Sequence, residues 1–172
     1  MKYPVIPFCF SSWMFLTLSY SRPLAEDRVK NDARLLAQTT VIRIQKHTNE
    51  SKMSPNLVFS GLELIPDALN DKTLEGLSTV EDNLHTFQEI LSSLPMEEMD
   101  QILADIFNLR MIIKSLATSV NCAPLKSSNM SHLESFLKTN AAFHVTIGNV
   151  ALERLQKYLL KLIRNLDQLK NC

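Results

Sequence analysis

Residues 150–172 read VALERLQKYLLKLIRNLDQLKNC, and this stretch decides the fold. Its leucines recur in steps of 3, 4, 3, 4 and 3, a spacing that repeats one face of an α-helix. Polar residues occupy most positions between them, and neither glycine nor proline interrupts the pattern. We therefore predict an amphipathic helix that buries one face and ends near Cys172. The leucines of that face are Leu152, Leu155, Leu159, Leu162, Leu166 and Leu169.

Three more amphipathic helices are predicted upstream, over residues 26–47, 73–93 and 96–120. The second and third carry apolar residues in repeating 3–4 steps, and Pro95 separates them. Only three glycines occur in 172 residues, and no alternating β-branched run appears. The fold class predicted from these features is all-α.

Acidic residues and a glycine suggest where two of the helices begin. Glu97, Glu98 and Asp100 would occupy the first turn of the third helix, where carboxylates interact favourably with the helix dipole. Gly148 would precede the last helix.

The connections between helices suggest a topology. The second and third helices are separated by only a few residues, so they are predicted to be antiparallel neighbours. The other two connections have about 25 residues each, enough to run the length of a bundle at roughly 3.3 Å per residue. Two long crossovers and one short loop favour an up-up-down-down four-helix bundle; an up-down-up-down arrangement stays open if the long loops fold back. Leu133, Phe136 and Leu137 predict one short amphipathic helix inside the second crossover.

The N-terminus has the pattern of a secretory signal peptide. Lys2 precedes an apolar run, and Ser19 and Ser21 place small residues before a cleavage point at Arg22. We predict that residues 1–21 are removed and that residues 22–172 form one secreted domain. The mature chain then has 17 Lys+Arg against 18 Asp+Glu. This near-neutral charge argues against nucleic acid as a partner, and no later apolar run is long enough for membrane insertion.

Removal of the signal peptide also removes Cys9 and leaves Cys122 and Cys172 in an oxidising compartment. A disulfide between them would close a loop of about 50 residues, worth about 4 kcal/mol by the chain-entropy model. Two free thiols and an intermolecular bridge are the alternatives.

No pattern of catalytic or metal-binding residues emerges. The four histidines are scattered, and HExxH, CxxC and GxSxG motifs are lacking. We therefore expect neither an enzyme nor a cofactor. Asn49 and Asn129 each begin an Asn-x-Ser sequence typical of N-glycosylation.

Exposed polar faces on the first and third helices raise the question of a partner. Gln101, Asp105 and Asn108 follow at i, i+4 and i+7 and flank the apolar stripe of the third helix. Spacing alone does not distinguish a binding face from a solvated one.

Several segments, taken in order, resemble the leptin family of long-chain helical cytokines. They are VIRI at residues 41–44, GLELIP at 61–66, QEILSSLP at 88–95, NLR at 108–110, VALERLQ at 150–156, and the terminal Cys172. The resemblance covers nearly all of the mature region. Leu64 stands where the family has phenylalanine, and Ile147 where it has threonine.

The resemblance implies a Cys122–Cys172 disulfide and an up-up-down-down bundle. It also implies a monomeric hormone that binds a class I cytokine receptor, activates JAK–STAT signalling and regulates food intake and energy balance. The main receptor face it implies comprises Asp32, Thr39, Arg43, Gln101, Asp105 and Asn108. A second face would include Leu62, Leu64 and Ile65 of the first crossover, with Thr146 near the start of the last helix.

Two other functional classes compete with the hormone. A secreted helical lipid carrier would need broad apolar faces and exchangeable packing, whereas the narrow 3–4 stripes predict one closed core. A secreted enzyme would need a nucleophile beside a base, and no such arrangement is indicated.

Overall fold

The computed structural model describes residues 26–50, 60–67, 76–123, 130–169 and 172. No strand occurs in these ranges, and the predicted all-α class is confirmed. The helices are α1 (Glu26–Glu50), α2 (Gly76–Ser93), α3 (Asp100–Ser119), α4 (Met130–Thr139) and α5 (His144–Asn165), with 3-10 turns at Leu62–Leu64, Ala141–Phe143 and Leu166–Gln168. The signal-peptide prediction, residues 1–21, lies outside the described residues.

The four long helices form the predicted up-up-down-down bundle. Helices α1 and α2 each pack against both α3 and α5. Arg43 near the end of α1 pairs with Asp105 near the start of α3, so these helices are antiparallel. Arg110 of α3 pairs with Glu81 of α2 at 2.7 Å across the short connection, so α2 is also antiparallel to α3. Helices α1 and α2 therefore run in one direction, and Arg34–Asp167 contacts show that α5 runs opposite to α1. The short helix predicted in the second crossover is α4, which packs on α2.

The leucine stripe that predicted the last helix lies in the core. All six leucines are buried, and Leu169 is the least buried of them at 4% exposure. Each fully buried leucine contributes roughly 1.5–3 kcal/mol relative to an exposed one, so this face is a main source of stability. Tyr158 packs among them, with its ring centre 5.8 Å from that of Phe87 on α2.

Helix α3 begins four residues later than predicted, at Asp100 instead of Met96. After Pro95 the chain needs a turn before it can reverse direction, and Glu98 takes a left-handed conformation at φ 56°. That conformation is incompatible with a right-handed helix. Asp100 lies in the first turn as predicted, whereas Glu97 and Glu98 belong to the turn.

Helix α5 begins earlier than predicted, at His144, so Gly148 lies inside it and does not precede it. Gly148 is buried, and a Cβ atom at this position would overlap the Met96 side chain. The glycine therefore allows the α2–α3 connection to pack closely on α5. This close packing offsets the low helix propensity of glycine.

A disulfide joins Cys122 to Cys172, with 5.2 Å between their Cα atoms. Helix α3 ends in a Schellman motif that presents Cys122 to its partner. Asn121 adopts φ 59°, and the Cys122 N–H donates to the Ala117 carbonyl at 2.9 Å. The predicted intramolecular pairing is confirmed, and it ties the end of α3 to the end of the chain.

Candidate functional site

Five predicted receptor residues reach solvent on the neighbouring helices α1 and α3, and we call them the α1/α3 face: Asp32, Thr39, Arg43, Gln101 and Asn108. The three residues from α1 follow at i, i+7 and i+11, so they lie along one stripe of that helix. Arg43 is half-buried and its neighbours on the face are exposed. The antiparallel packing of α1 on α3 brings the two sets of residues together.

Asp105, predicted to be exposed on this face, is buried at 3% exposure. The prediction was wrong because spacing on α3 alone does not show which residues α1 covers. The Asp105 carboxylate accepts a hydrogen bond from Gln101 Nε2 at 3.0 Å and pairs directly with Arg43 Nη1. The Thr40 hydroxyl, which donates to the Leu36 carbonyl at 2.8 Å, lies 3.5 Å from the same carboxylate. A buried carboxylate needs such partners.

The buried Asp105 therefore positions two residues of the α1/α3 face. Arg43 is 39% exposed at its side chain and Gln101 is exposed, yet each commits a donor to Asp105. Their remaining donors face solvent from side chains whose rotamers are restrained. Binding to Arg43 and Gln101 therefore costs less side-chain entropy than binding to freely rotating side chains would.

Two apolar side chains beside this face were not predicted. Phe107 and Met111 of α3 are 46% and 45% exposed, and both lie on the side of Asn108 that faces away from the buried Asp105. They fall outside the buried 3–4 stripe of Ile106, Leu109 and Ile113, and this was the sequence signal that could have revealed them. Aromatic residues and methionine are enriched in protein interfaces, so this surface has both polar and apolar contact groups.

His47 lies in the last turn of α1, four residues after Arg43 of the α1/α3 face. Its Nε2 donates to the Glu97 carbonyl at 3.1 Å, which holds the α2–α3 connection against α1. Its other ring nitrogen, Nδ1, is buried without a hydrogen-bond partner in the described part of the chain.

The first crossover forms the second candidate surface. Leu62 and Leu64 of its 3-10 turn are half-buried, whereas Ile65 is 1% exposed. Ile65 was predicted to contact a receptor, but the structure places it in the core, where it anchors the turn. Gly61 has φ 102° and lies against the ring of Phe136 from α4, so a side chain there would be both strained and overlapping.

Arg154 of α5 holds this crossover in place. Its Nη1 donates to the carbonyls of Leu62 and Ile65 at 2.6 and 2.8 Å. Asp67 lies 3.9 Å from its Nε. We predicted from helical spacing that most polar residues of the last helix would face water, and this role of Arg154 was missed. Only the folded crossover supplies the carbonyls.

The start of α5 contributes the rest of the second surface. Thr146 is half-buried in its first turn, and Phe143 and Val145 beside it are 49% and 55% exposed. Along α5, Thr146 lies about 12 Å from Arg154, at 1.5 Å per residue. Val145 lies about 180° around α5 from Arg154, so we give the name crossover face to Leu62, Leu64 and Thr146 alone.

One of the two sequences typical of N-glycosylation begins within the described residues. Asn49 is exposed in the last turn of α1, and Asn129 lies outside the described residues. Within the described ranges, no three metal-ligating side chains cluster. No helix among those same residues has the length and apolarity needed to span a bilayer.

Comparison with known proteins matches the chain along nearly all of its length. A family model described as Leptin matches residues 25–172. Leptin of Mus musculus is 30% identical over 166 residues, which cover 96% of this chain and 98% of the relative. Leptin of Felis catus is 31% identical over 96% of this chain and 98% of its own length. Leptin of Capra hircus is 32% identical over 93% of this chain and 94% of its own length. These are matches to hormones and not to enzymes or lipid carriers.

Proposed function

The chain belongs to the leptin family, and from that membership we propose that it is a secreted leptin-like hormone that binds a class I cytokine receptor. Receptor engagement activates JAK–STAT signalling and regulates food intake and energy balance. The protein acts by binding and performs no catalysis. Residues 1–21 are its signal peptide, and residues 22–172 are the domain that circulates as a monomeric ligand.

The α1/α3 face is the main receptor contact in this proposal. The observation that carries it is the buried Asp105, which holds Arg43 and Gln101 from two different helices on one exposed surface. Thr39 and Asn108 add exposed hydrogen-bonding groups, and Phe107 adds an apolar one. Preorganised polar groups around apolar anchors are what a specific protein interface requires.

The crossover face is the second receptor contact. Arg154 donates to the carbonyls of Leu62 and Ile65 and so holds the turn that carries Leu62 and Leu64, and Thr146 lies at the start of α5 beside exposed Phe143 and Val145. The two faces come from different helices and the ligand is a monomer, so one hormone molecule can contact two receptor chains. Such bridging brings the receptor-associated kinases together.

The test is STAT phosphorylation in cells that carry a leptin-type receptor, with Thr39→Arg as the variant of the α1/α3 face. Thr39 is exposed, and its hydroxyl donates only to the Leu35 carbonyl at 2.9 Å, so the change leaves the core intact. We expect a reduced response at equal concentration, because a long cation would occupy the contact surface.

Ser92→Arg is the matched control. Ser92 is also exposed, and its hydroxyl donates to a carbonyl of the preceding turn, that of Glu89 at 3.2 Å, but it lies on α2, which is not one of the two helices of the face. Its response should equal that of the wild type. A folded wild type that gives no response refutes the hormone function, and equal responses from both variants refute the proposed face.

A further inference from the structure

An apolar stripe lies on the outer surface of α1. Leu35 and Ile42 are seven residues apart and are 63% and 65% exposed, the most exposed large apolar side chains among the described residues. Seven residues make almost two helical turns, so both side chains point the same way, away from Ala37 and Ile44 in the core. An apolar row on one face of a helix is a surface that another group can cover.

Asn49 continues the same row. It lies seven residues after Ile42, is exposed, and begins the Asn49-Glu50-Ser51 acceptor sequence. At 1.5 Å per residue, its Cα lies about 10 Å from that of Ile42 along the helix. This is the reach of the first sugars of an N-linked glycan, whose polar outer surface solubilises the protein to which it is attached.

We propose that Asn49 carries an N-linked glycan and that its inner sugars cover the apolar stripe at Ile42. This rests on the secretion included in the proposed function, because the modification takes place in the secretory pathway. The co-reactant is an oligosaccharide linked to a lipid diphosphate. Asn49 Nδ2 forms the bond to C1 of the first sugar, the bond from C1 to the diphosphate oxygen breaks, the lipid diphosphate leaves, and one amide proton is released.

The position is compatible with receptor binding. Asn49 lies about 120° around α1 from Arg43 and roughly 9 Å further along its axis, by helical geometry. A glycan that covers Ile42 nevertheless borders Thr39, which lies three residues earlier on the same helix. The STAT response of the unmodified hormone should therefore be at least equal to that of the modified one.

The experiment measures the intact mass of the full chain secreted by animal cells, before and after digestion with peptide-N-glycosidase. Asn129→Gln is included in every form, so that Asn49 begins the one remaining acceptor sequence. Ser51→Ala removes that acceptor sequence without changing Asn49, and Ser51→Thr keeps it. We expect digestion to lower the mass of the parent and of Ser51→Thr, and to leave that of Ser51→Ala unchanged. Folded, secreted parent protein at its unmodified mass overturns the proposal.

Self-association and binding of an apolar dye test whether the glycan covers the stripe. Ser51→Ala should sediment faster and bind several-fold more dye than Ser51→Thr, and adding Ile42→Gln should reverse both effects. Equal behaviour of Ser51→Ala and Ser51→Thr overturns the covering role. A second set of the same variants carries the leader of another secreted protein in place of residues 1–21. Failure of residues 1–21 to direct secretion is thereby distinguished from an unmodified Asn49.

Discussion

Arg154→Met tests whether one side chain holds the first crossover on the bundle. Methionine keeps most of the apolar stem but removes both hydrogen bonds to the Leu62 and Ile65 carbonyls. Each hydrogen bond to a charged donor contributes about 1.5–3 kcal/mol. The Arg154 side chain is 21% exposed and Leu62 is half-buried, so water can replace part of the loss there, whereas Ile65 is 1% exposed. We expect a loss of about 2–4 kcal/mol in the free energy of unfolding.

Chemical denaturation measures this loss, and hydrogen exchange locates it. The Leu64 and Ile65 amides donate to the Gly61 and Leu62 carbonyls at 3.0 and 3.2 Å, so both should exchange faster in Arg154→Met. In a chain of this size, each kcal/mol lowers the melting temperature by about 2–4 °C. The STAT response should fall as well, because the crossover face loses its support.

Arg164→Met is the matched control, because Arg164 is an exposed arginine on the same helix. Its removal should cost about 0.3–1 kcal/mol, through the helix dipole. If the two variants lose equal stability and the Leu64 and Ile65 amides keep their protection, the anchoring role of Arg154 is refuted.

Three other predictions follow from buried groups. Asp105→Asn should lower the free energy of unfolding by about 1–3 kcal/mol. This is less than the loss of a fully buried pair, because Arg43 is 39% exposed. In a double-mutant cycle with Arg43→Gln, the double variant should lose less stability than the sum of the two single losses, and strict additivity would contradict the pairing. Burial raises the pKa of Tyr158 above its ordinary value of 10.0, so stability should be full below pH 10 and fall as the pH rises further. Tyr158 is the single tyrosine after residue 21, so ultraviolet titration of the mature protein reports it alone, and an ordinary midpoint in the folded protein would refute the burial effect. Replacing both Cys122 and Cys172 with serine should lower the free energy of unfolding by about 4 kcal/mol, because the disulfide closes a loop of 50 residues. Chemical denaturation measures this loss, and a loss below about 1 kcal/mol would contradict the entropic argument.

Local periodicity was a reliable guide to the helices but not to their ends. The leucines of α5 and the 3–4 stripes within α2 and α3 are buried as predicted, because a helix with one apolar face has one stable way to bury it. The predicted stripes also included Leu94 and Val120, just beyond the ends of these helices, which are half-buried and 38% exposed. The start of α3 was misplaced since the left-handed Glu98 depends on how the chain reverses after Pro95. Glu97 and Glu98 are compatible both with the first turn of a helix and with the turn that precedes it, so their presence does not decide between the two.

The candidate surfaces were predicted as regions better than as individual residues. Thr39, Gln101 and Asn108 are exposed on one face, but Asp105 and Ile65 are buried. Phe107, Met111 and Phe143 were not predicted as surface contacts, although they are large apolar residues at positions outside the buried stripes. Exposure depends on the neighbouring helix, and one helix's sequence does not contain that information.

The sequence by itself determined that this chain is helical, that the leucine stripe from Leu152 to Leu169 forms one buried face, and that Cys122 and Cys172 are the two cysteines available to pair after residue 21. These properties depend on spacing along the chain. Only the tertiary structure decided that Asp105 joins α1 to α3, that Arg154 faces the crossover carbonyls, and that Gly148 lies under Met96. Each of these contacts depends on the register between elements far apart in sequence, because hydrogen bonds and close packing require particular atoms to meet.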